Sequence, residues 1–152
     1  MKETIPTLAS ISSGDDIEVL IVNDGSKDET LQVAQELEKE YPGIVNIIDK
    51  ENGGHGSTIN AGIREAKGKY FKVVDADDWV DSGNFEKLVQ FLHKTDADEI
   101  ISPYTDVFED DGTKVENNYF KDCSLKPYQD YDYVNFLEQI QILPRMPVSY
   151  TH

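Results

Sequence analysis

The chain has 152 residues and a formal net charge of −16, from 30 acidic against 14 basic side chains. Its length suits one domain with its own core, and 38% hydrophobic with 29% charged residues excludes a disordered chain. So acidic a surface repels nucleic-acid backbones and anionic headgroups, so an anionic ligand needs a local device: a metal ion, a helix start or a basic side chain. No nucleic-acid partner is expected. The single cysteine, Cys123, cannot close an internal disulfide, and no Cys/His cluster suggests zinc. No run approaches the ~18 apolar residues of a membrane span, and Met1 to Ser13 lacks the basic and long apolar regions of a signal peptide. These features point to the cytoplasm.

Met1 to Ile11 reads as the tail of a helix. Ile17 to Val22 is nearly continuous and β-branched, the pattern of a strand buried on both faces of a parallel sheet. Asn23-Asp24-Gly25-Ser26 breaks it. Ser26 is expected to cap the next helix, with Glu29 completing a capping box. Leu31, Ala34, Leu37 and Tyr41 form an apolar stripe at helical spacing, and Pro42-Gly43 ends it. Ile44 to Ile48 is a second strand. A glycine-rich loop, Asn52-Gly53-Gly54-His55-Gly56, leads to a helix capped by Ser57 and closed near Gly68. Tyr70 to Val74 is a third strand, stopped by Asp75-Ala76-Asp77-Asp78. Asn84 to Lys94 is an amphipathic helix, and Ile100-Ile101 marks a fourth strand. Thr105–Glu109 and Thr113–Asn117 flank a tight turn at Asp111-Gly112, a hairpin pattern. Tyr131 to Ile142 is expected to be helical.

This alternation predicts an α/β fold with a doubly wound, mostly parallel sheet flanked by helices. Ligands of such sheets bind beyond the carboxyl ends of the strands. The loops Asn23–Ser26, Gly53–Ser57 and Asp75–Asp78 would all lie at that rim.

Three segments are candidates for chemistry. Asp75, Asp77 and Asp78, ending a strand, can aim carboxylates at one divalent cation. Oxygen-only ligands with open positions favour Mg²⁺ or Mn²⁺, which bridge diphosphate oxygens. In a chain this acidic, an isolated Asp-x-Asp is more often a solvated turn. Asp24 precedes Gly25, where backbone can approach a ligand closely. Its carboxylate can accept from a base or ribose, although Asn23 and Asp24 also suit a simple turn. The amides of Gly53 and Gly54 and the following helix start can hold a phosphate. His55 can reach a phosphate or sugar hydroxyl, yet lone loop histidines are usually just solvated. Asn60 can anchor a neighbouring loop. Arg64 is expected on the solvent face of its helix, and Trp79 is expected to pack or to form a pocket wall.

In order, these segments resemble family 2 glycosyltransferases. Val22-Asn23-Asp24-Gly25-Ser26-x-Asp28 is similar to the family's first nucleotide-binding signature. Asn52-Gly53-Gly54 with Asn60-x-Gly62 is similar to its second. Gly68-Lys69-Tyr70, then Val74-Asp75-Ala76-Asp77-Asp78, resembles the strand entering its Asp-x-Asp site. The likeness covers roughly residues 17–103 and implies a GT-A fold. It further implies a metal-dependent, inverting transfer of a sugar from a nucleotide-diphosphate donor, often a UDP-sugar, to an acceptor hydroxyl. A glycan or lipid-linked acceptor and cell-surface polysaccharide biosynthesis fit that family. By this analogy Asp24, Gly25, Ser26, Asn52, Gly53, Gly54, His55, Asn60, Asp75, Ala76 and Asp77 line the donor site. Asp24 would meet the base, Asp75 the ribose or base, and Asp77, aided by Asp75, the metal, Mg²⁺ or Mn²⁺.

Two departures stand out. Many members carry Arg just before the motif asparagine, where this chain has Ile59, and Thr58 replaces a common Ala. The family's opening strand and its later catalytic Asp find no match, and Asp130 and Asp132 carry no local mark of a base. The chain is therefore expected to be one partial domain, truncated at both ends. Residues 17–103 would be its donor-binding core, and 104–152, a hairpin and helix, would begin the acceptor side. Alone it is expected to transfer little sugar. The full protein would lie in the cytoplasm or peripherally at the inner face of the membrane. A non-catalytic nucleotide-binding module remains the alternative, while receiver domains and haloacid-type phosphatases lack any counterpart of the Gly53–Asn60 segment.

Overall fold

The computed structural model describes residues 1–12, 14–108, 110–117, 126–132 and 148–151. They fall into two compact units, Met1–Lys94 and Thr95–Thr151. The sequence motifs all lie in the first.

That unit opens with α1 (Thr4–Ala9) and a single 3₁₀ turn at Gly14–Asp16. Strand β1 (Val19–Asp24) then leads through α2 (Thr30–Glu40) to β2 (Val45–Lys50). The two strands run parallel and in step, from Val19 opposite Val45 to Asp24 opposite Lys50. A parallel pair needs a crossover, and α2 supplies it. Helix α3 (His55–Glu65), strand β3 (Tyr70–Lys72) and helix α4 (Ser82–Leu92) complete the unit. Helices cover both faces of the pair. On one face, Ile5 and Ala9 of α1 and Ala34 and Leu37 of α2 pack with Ile21 and Val45 in the buried core. On the other, Gly62 of α3 lies against Val22 of β1 and the Phe71 ring of β3. Burial on both faces explains why β1 reads as a continuous apolar run.

The second unit holds β4 (Glu99–Ile101), β5 (Tyr104–Val107), β6 (Lys114–Asn117) and β7 (Val148–Thr151). Strands β5 and β6 form the expected antiparallel hairpin, and Gly112 takes φ +71° in its turn. Strand β4 pairs antiparallel with β7. Most of the helix expected over Tyr131–Ile142, and Cys123, lie outside the described residues. Among the described residues no helix is long and apolar enough to cross a membrane.

Helix starts differ from their sequence expectations. Helix α2 begins at Thr30, and Asp28 rather than Ser26 receives the first-turn amide, from Thr30 at 3.0 Å. The Ser26 amide is turned toward the Asn23 side chain (3.4 Å), which holds the segment in a turn. Helix α3 begins at His55 after Gly54 at φ +80°, so Ser57 lies inside its first turn. Helix α4 begins at Ser82, two residues before Asn84, because the Asp81 carboxylate accepts the Asn84 amide at 2.8 Å. Strand β3 stops at Lys72, and Val73 is already exposed.

Val45 is 1% exposed and sits where β2 meets α2 and β1. Removing two buried carbons there should cost about 2 kcal/mol. Urea unfolding of Val45→Ala is expected to show a lowered midpoint with unchanged slope; an unchanged midpoint would contradict this core assignment.

Candidate functional site

The carboxyl end of β1 is built around one carboxylate. Asp24 accepts from the Gly53 amide at 2.9 Å and the Gly54 amide at 2.8 Å. Its in-register neighbour Lys50 donates to the same carboxylate and to the Glu51 carbonyl. Together, first the Lys50 hydrogen bond and then the amides, these donors hold Asp24 below the usual aspartate range. Beside it Asn23, 3% exposed, donates to Asp49 at 2.7 Å across the same strand pair.

Backbone geometry makes the glycines necessary. Gly25 has φ +69°, and a Cβ there would stand 2.8 Å from the Asn52 amide nitrogen. A Cβ on Gly53 would stand 2.6 Å from the Ser57 hydroxyl. The Asn23–Ser26 turn and the Asn52–Gly54 turn are thus pressed together and hydrogen-bonded. The amides of Gly53 and Gly54, expected to face a phosphate, are committed to Asp24 instead. Ser26 and Asn52 are exposed, as are His55, at the start of α3, and Asn60, further along it.

The second group follows β3. Asp75, Ala76, Asp77 and Asp78 form a tight turn closed by the Asp78 amide on the Asp75 carbonyl at 3.0 Å. All four are exposed. Burial first, then repulsion from Asp77 and Asp75, raises the Asp78 carboxyl above the aspartate value of 3.8, against an opposing pull from Lys72. Lys72 itself, half-buried at the end of β3, is lowered by desolvation. The Ala76 carbonyl accepts from the buried Thr4 hydroxyl at 2.9 Å and from the Met1 amino group.

A divalent cation suits this turn in a particular way. Among the described residues no three His, Cys, Asp or Glu side chains converge to chelate an ion alone. The acids nevertheless repel one another, and a cation would relieve that repulsion. A cation here would have to be held by one or two carboxylates, with its other positions filled by oxygens of its ligand, as Mg²⁺ commonly is.

The structure thus joins Asp24, Gly25, Asn52, Gly53 and Gly54 in one junction and gathers Asp75, Ala76, Asp77 and Asp78 in another. Among the described residues, no hydrogen bond links the two groups. Trp79, expected to pack or to wall a pocket, is 50% exposed. Arg64 lies on the solvent face of α3, as expected. In the second unit, Asp130 accepts from the buried Thr95 hydroxyl at 3.1 Å, a loop-fixing contact. Sequence reading missed Lys50 and Thr4. The register of two parallel strands that both end in charge was the available sign for Lys50; Thr4 had none, since its contact spans 72 positions.

Fold and rim together define a helix-flanked α/β protein with polar loops following its strands, the layout of ligand-binding sheets. The sequence model of Glycosyl transferase family 2 matches residues 1–146, and the chain belongs to that family. It is 31% identical over 121 residues to the minor teichoic acid biosynthesis protein GgaB of Bacillus subtilis (strain 168), covering 78% of this chain and 13% of GgaB. An uncharacterized glycosyltransferase of Rickettsia prowazekii (strain Madrid E) is 39% identical over 101 residues, 66% of this chain and 30% of the relative. Glycosyltransferase GlyG of Streptococcus pneumoniae serotype 4 (strain ATCC BAA-334 / TIGR4) is 36% identical over 105 residues, 68% of this chain and 33% of GlyG. The chain therefore spans about a third or less of these relatives' own length.

The two junctions respond oppositely to charge removal. Asp24 is lowered, so it stabilises the fold above the ordinary value of 3.8, and that contribution fades as pH falls through its lower folded value. Asp24→Asn should be less stable than the parent at pH 7, and the gap in urea midpoints should shrink as pH drops below 3.8. A gap independent of pH would refute this. Asp78 is raised, so its ionisation costs stability as pH climbs from 3.8 through the higher folded value. Asp78→Asn should therefore melt at a higher temperature than the ligand-free parent at pH 7. A lower melting temperature would show that the carboxylate is internally satisfied.

Proposed function

We propose that the Met1–Lys94 unit binds the donor of a metal-dependent glycosyltransferase, a nucleotide-diphosphate sugar of which a UDP-sugar is the first candidate. The observation that carries this reading is the acid turn at Asp75–Asp78, whose carboxylates repel one another in a chain already at −16. A diphosphate approaching such a surface needs a cation between it and the protein. Asp77 and Asp75 are the residues that would hold Mg²⁺ or Mn²⁺. When bound, the ion would supply charge neutralisation for the diphosphate and for the departing nucleoside diphosphate.

The remaining roles belong to the chain itself. Asp24 spends its carboxylate on Gly53, Gly54 and Lys50, so it shapes the floor of the nucleoside end as much as it touches a base. Gly25, Ser26 and Asn52 border that floor. With the two glycine amides engaged, the diphosphate falls to His55 and the start of α3, where helix N–H groups favour negative charge. Asn60 lies beyond them on the same helix. Gly62 packs against both β1 and β3, which supports one shared end for the two junctions.

Inverting transfer to an acceptor hydroxyl follows from the family reading, with a base on the acceptor side taking the hydroxyl proton. The name of GgaB refers to teichoic acid biosynthesis, and a glycan or lipid-linked acceptor is proposed by analogy. We place the work in the cytoplasm, or peripherally at the inner face of the membrane in the full-length protein.

Calorimetric titration of UDP tests the reading. Binding is expected with Mn²⁺ or Mg²⁺ present and lost with EDTA. Asp77→Ala should weaken it on the order of ten- to a hundredfold, the worth of one charge-assisted contact. Equal affinity with and without EDTA would remove the metal from the mechanism.

A further inference from the structure

We propose that Thr4 and Thr7, on α1, are positioning residues that clamp the acid turn in its cation-binding shape, an inference that rests on the donor-site reading above. Three contacts make the clamp. The Thr4 hydroxyl, on a residue 4% exposed, donates to the Ala76 carbonyl at 2.9 Å, between Asp75 and Asp77. The Val80 amide donates to the Thr7 hydroxyl at 3.3 Å, two residues beyond Asp78. The Ser82 hydroxyl donates to the Thr7 carbonyl at 3.0 Å, at the first residue of α4. The turn is thus gripped among its acids and just after them by one short helix.

The helix is a firm base for this. Ile5, Leu8 and Ala9 are buried, and Ile5 and Ala9 belong to the same core cluster as β1 and β2. Thr4 and Thr7, one helical turn apart, share a face. The two are coupled as well, since the Thr7 hydroxyl donates to the Thr4 carbonyl at 2.7 Å while accepting from Val80. Both capacities of that hydroxyl are therefore used, and valine, of equal shape, can fulfil neither. Three acidic residues stand within four positions of this exposed turn, so like charges crowd the segment that α1 holds. A clamp placed on backbone groups leaves the carboxylates free to face outward.

The test uses the whole chain with Thr4→Val, Thr4→Ser, Thr7→Val, Thr7→Ser and Asp77→Ala, studied well below each melting temperature. One readout is NMR amide exchange at Asp78 and Val80 in the ligand-free chain; the other is UDP affinity in saturating Mn²⁺. The valine variants should exchange faster at the turn and bind UDP roughly three- to tenfold more weakly, the worth of a single hydrogen bond. The serine variants, which keep the hydroxyl, should stay near the parent in both. Should a valine variant fail to fold, Ser82→Ala is the milder probe and should speed exchange at the start of α4. Unchanged exchange at the turn in these variants overturns the clamp. Faster exchange with parental affinity, while Asp77→Ala loses binding, overturns the positioning role and leaves the donor site standing. Parental affinity in Asp77→Ala overturns the donor site and the positioning role with it.

Discussion

The Asp24 carboxylate holds the end of the parallel pair together. It lies at the last position of β1, opposite the last position of β2, and it collects Lys50 and two consecutive backbone amides. Hydrogen bonds to an ionised acceptor are about twice as strong as neutral ones. Two amides in succession also fix orientation, because their N–H vectors allow only a narrow set of turn conformations. The turn so fixed aims α3, and α3 carries Gly62 onto β1 and β3. Gly25 permits the arrangement: its φ of +69° and the 2.8 Å approach of the Asn52 amide leave no room for a side chain. The first and second family signatures are therefore one physical object, two turns held face to face by a carboxylate.

The acid turn after β3 is built on the opposite principle. Asp24 is surrounded by donors, whereas Asp78 has two like charges near it and the opposing pull of a half-buried Lys72. The first arrangement stabilises the fold; the second leaves like charges facing solvent. Helix α1 meets that turn at backbone groups, the Ala76 carbonyl and the Val80 amide, and not at its carboxylates.

Elements with a strong period were legible in the sequence. β1 and β2 announced themselves by β-branched runs, α2 by its stripe of Leu31, Ala34, Leu37 and Tyr41, and the hairpin by Asp111-Gly112. Helix starts were not, because several cap-forming residues crowd each one. Between Ser26 and Asp28 the decision fell to the Asn23 side chain, whose oxygen accepts the Ser26 amide while its own amide is held by Asp49 of the neighbouring strand. The motif residues were legible as positions, but not as partners. Spacing put Gly53 and Gly54 at the rim and suggested a phosphate; only coordinates show their amides turned onto Asp24. Trp79, expected to pack or to form a pocket wall, has half of its surface in solvent, a degree of exposure that its hydrophobicity alone does not indicate.

The departures from the family pattern acquire a physical meaning in this light. Where relatives commonly carry Ala-Arg before the motif asparagine, this chain has Thr58 and Ile59. The Thr58 hydroxyl folds back onto the His55 carbonyl of its own helix, and Ile59 is half-buried. Neither brings positive charge to the rim, and Arg64 lies on the solvent face, about one and a half turns further along α3. Among the described residues, the cation at this junction is Lys50, contributed by the end of β2 and tied to Asp24. A lysine fixed to a carboxylate has most of its charge compensated in place, whereas an unpaired arginine would have it to offer a ligand. That leaves no uncompensated lysine charge at the β1–β2 end, where Asp49 and Glu51 flank Lys50.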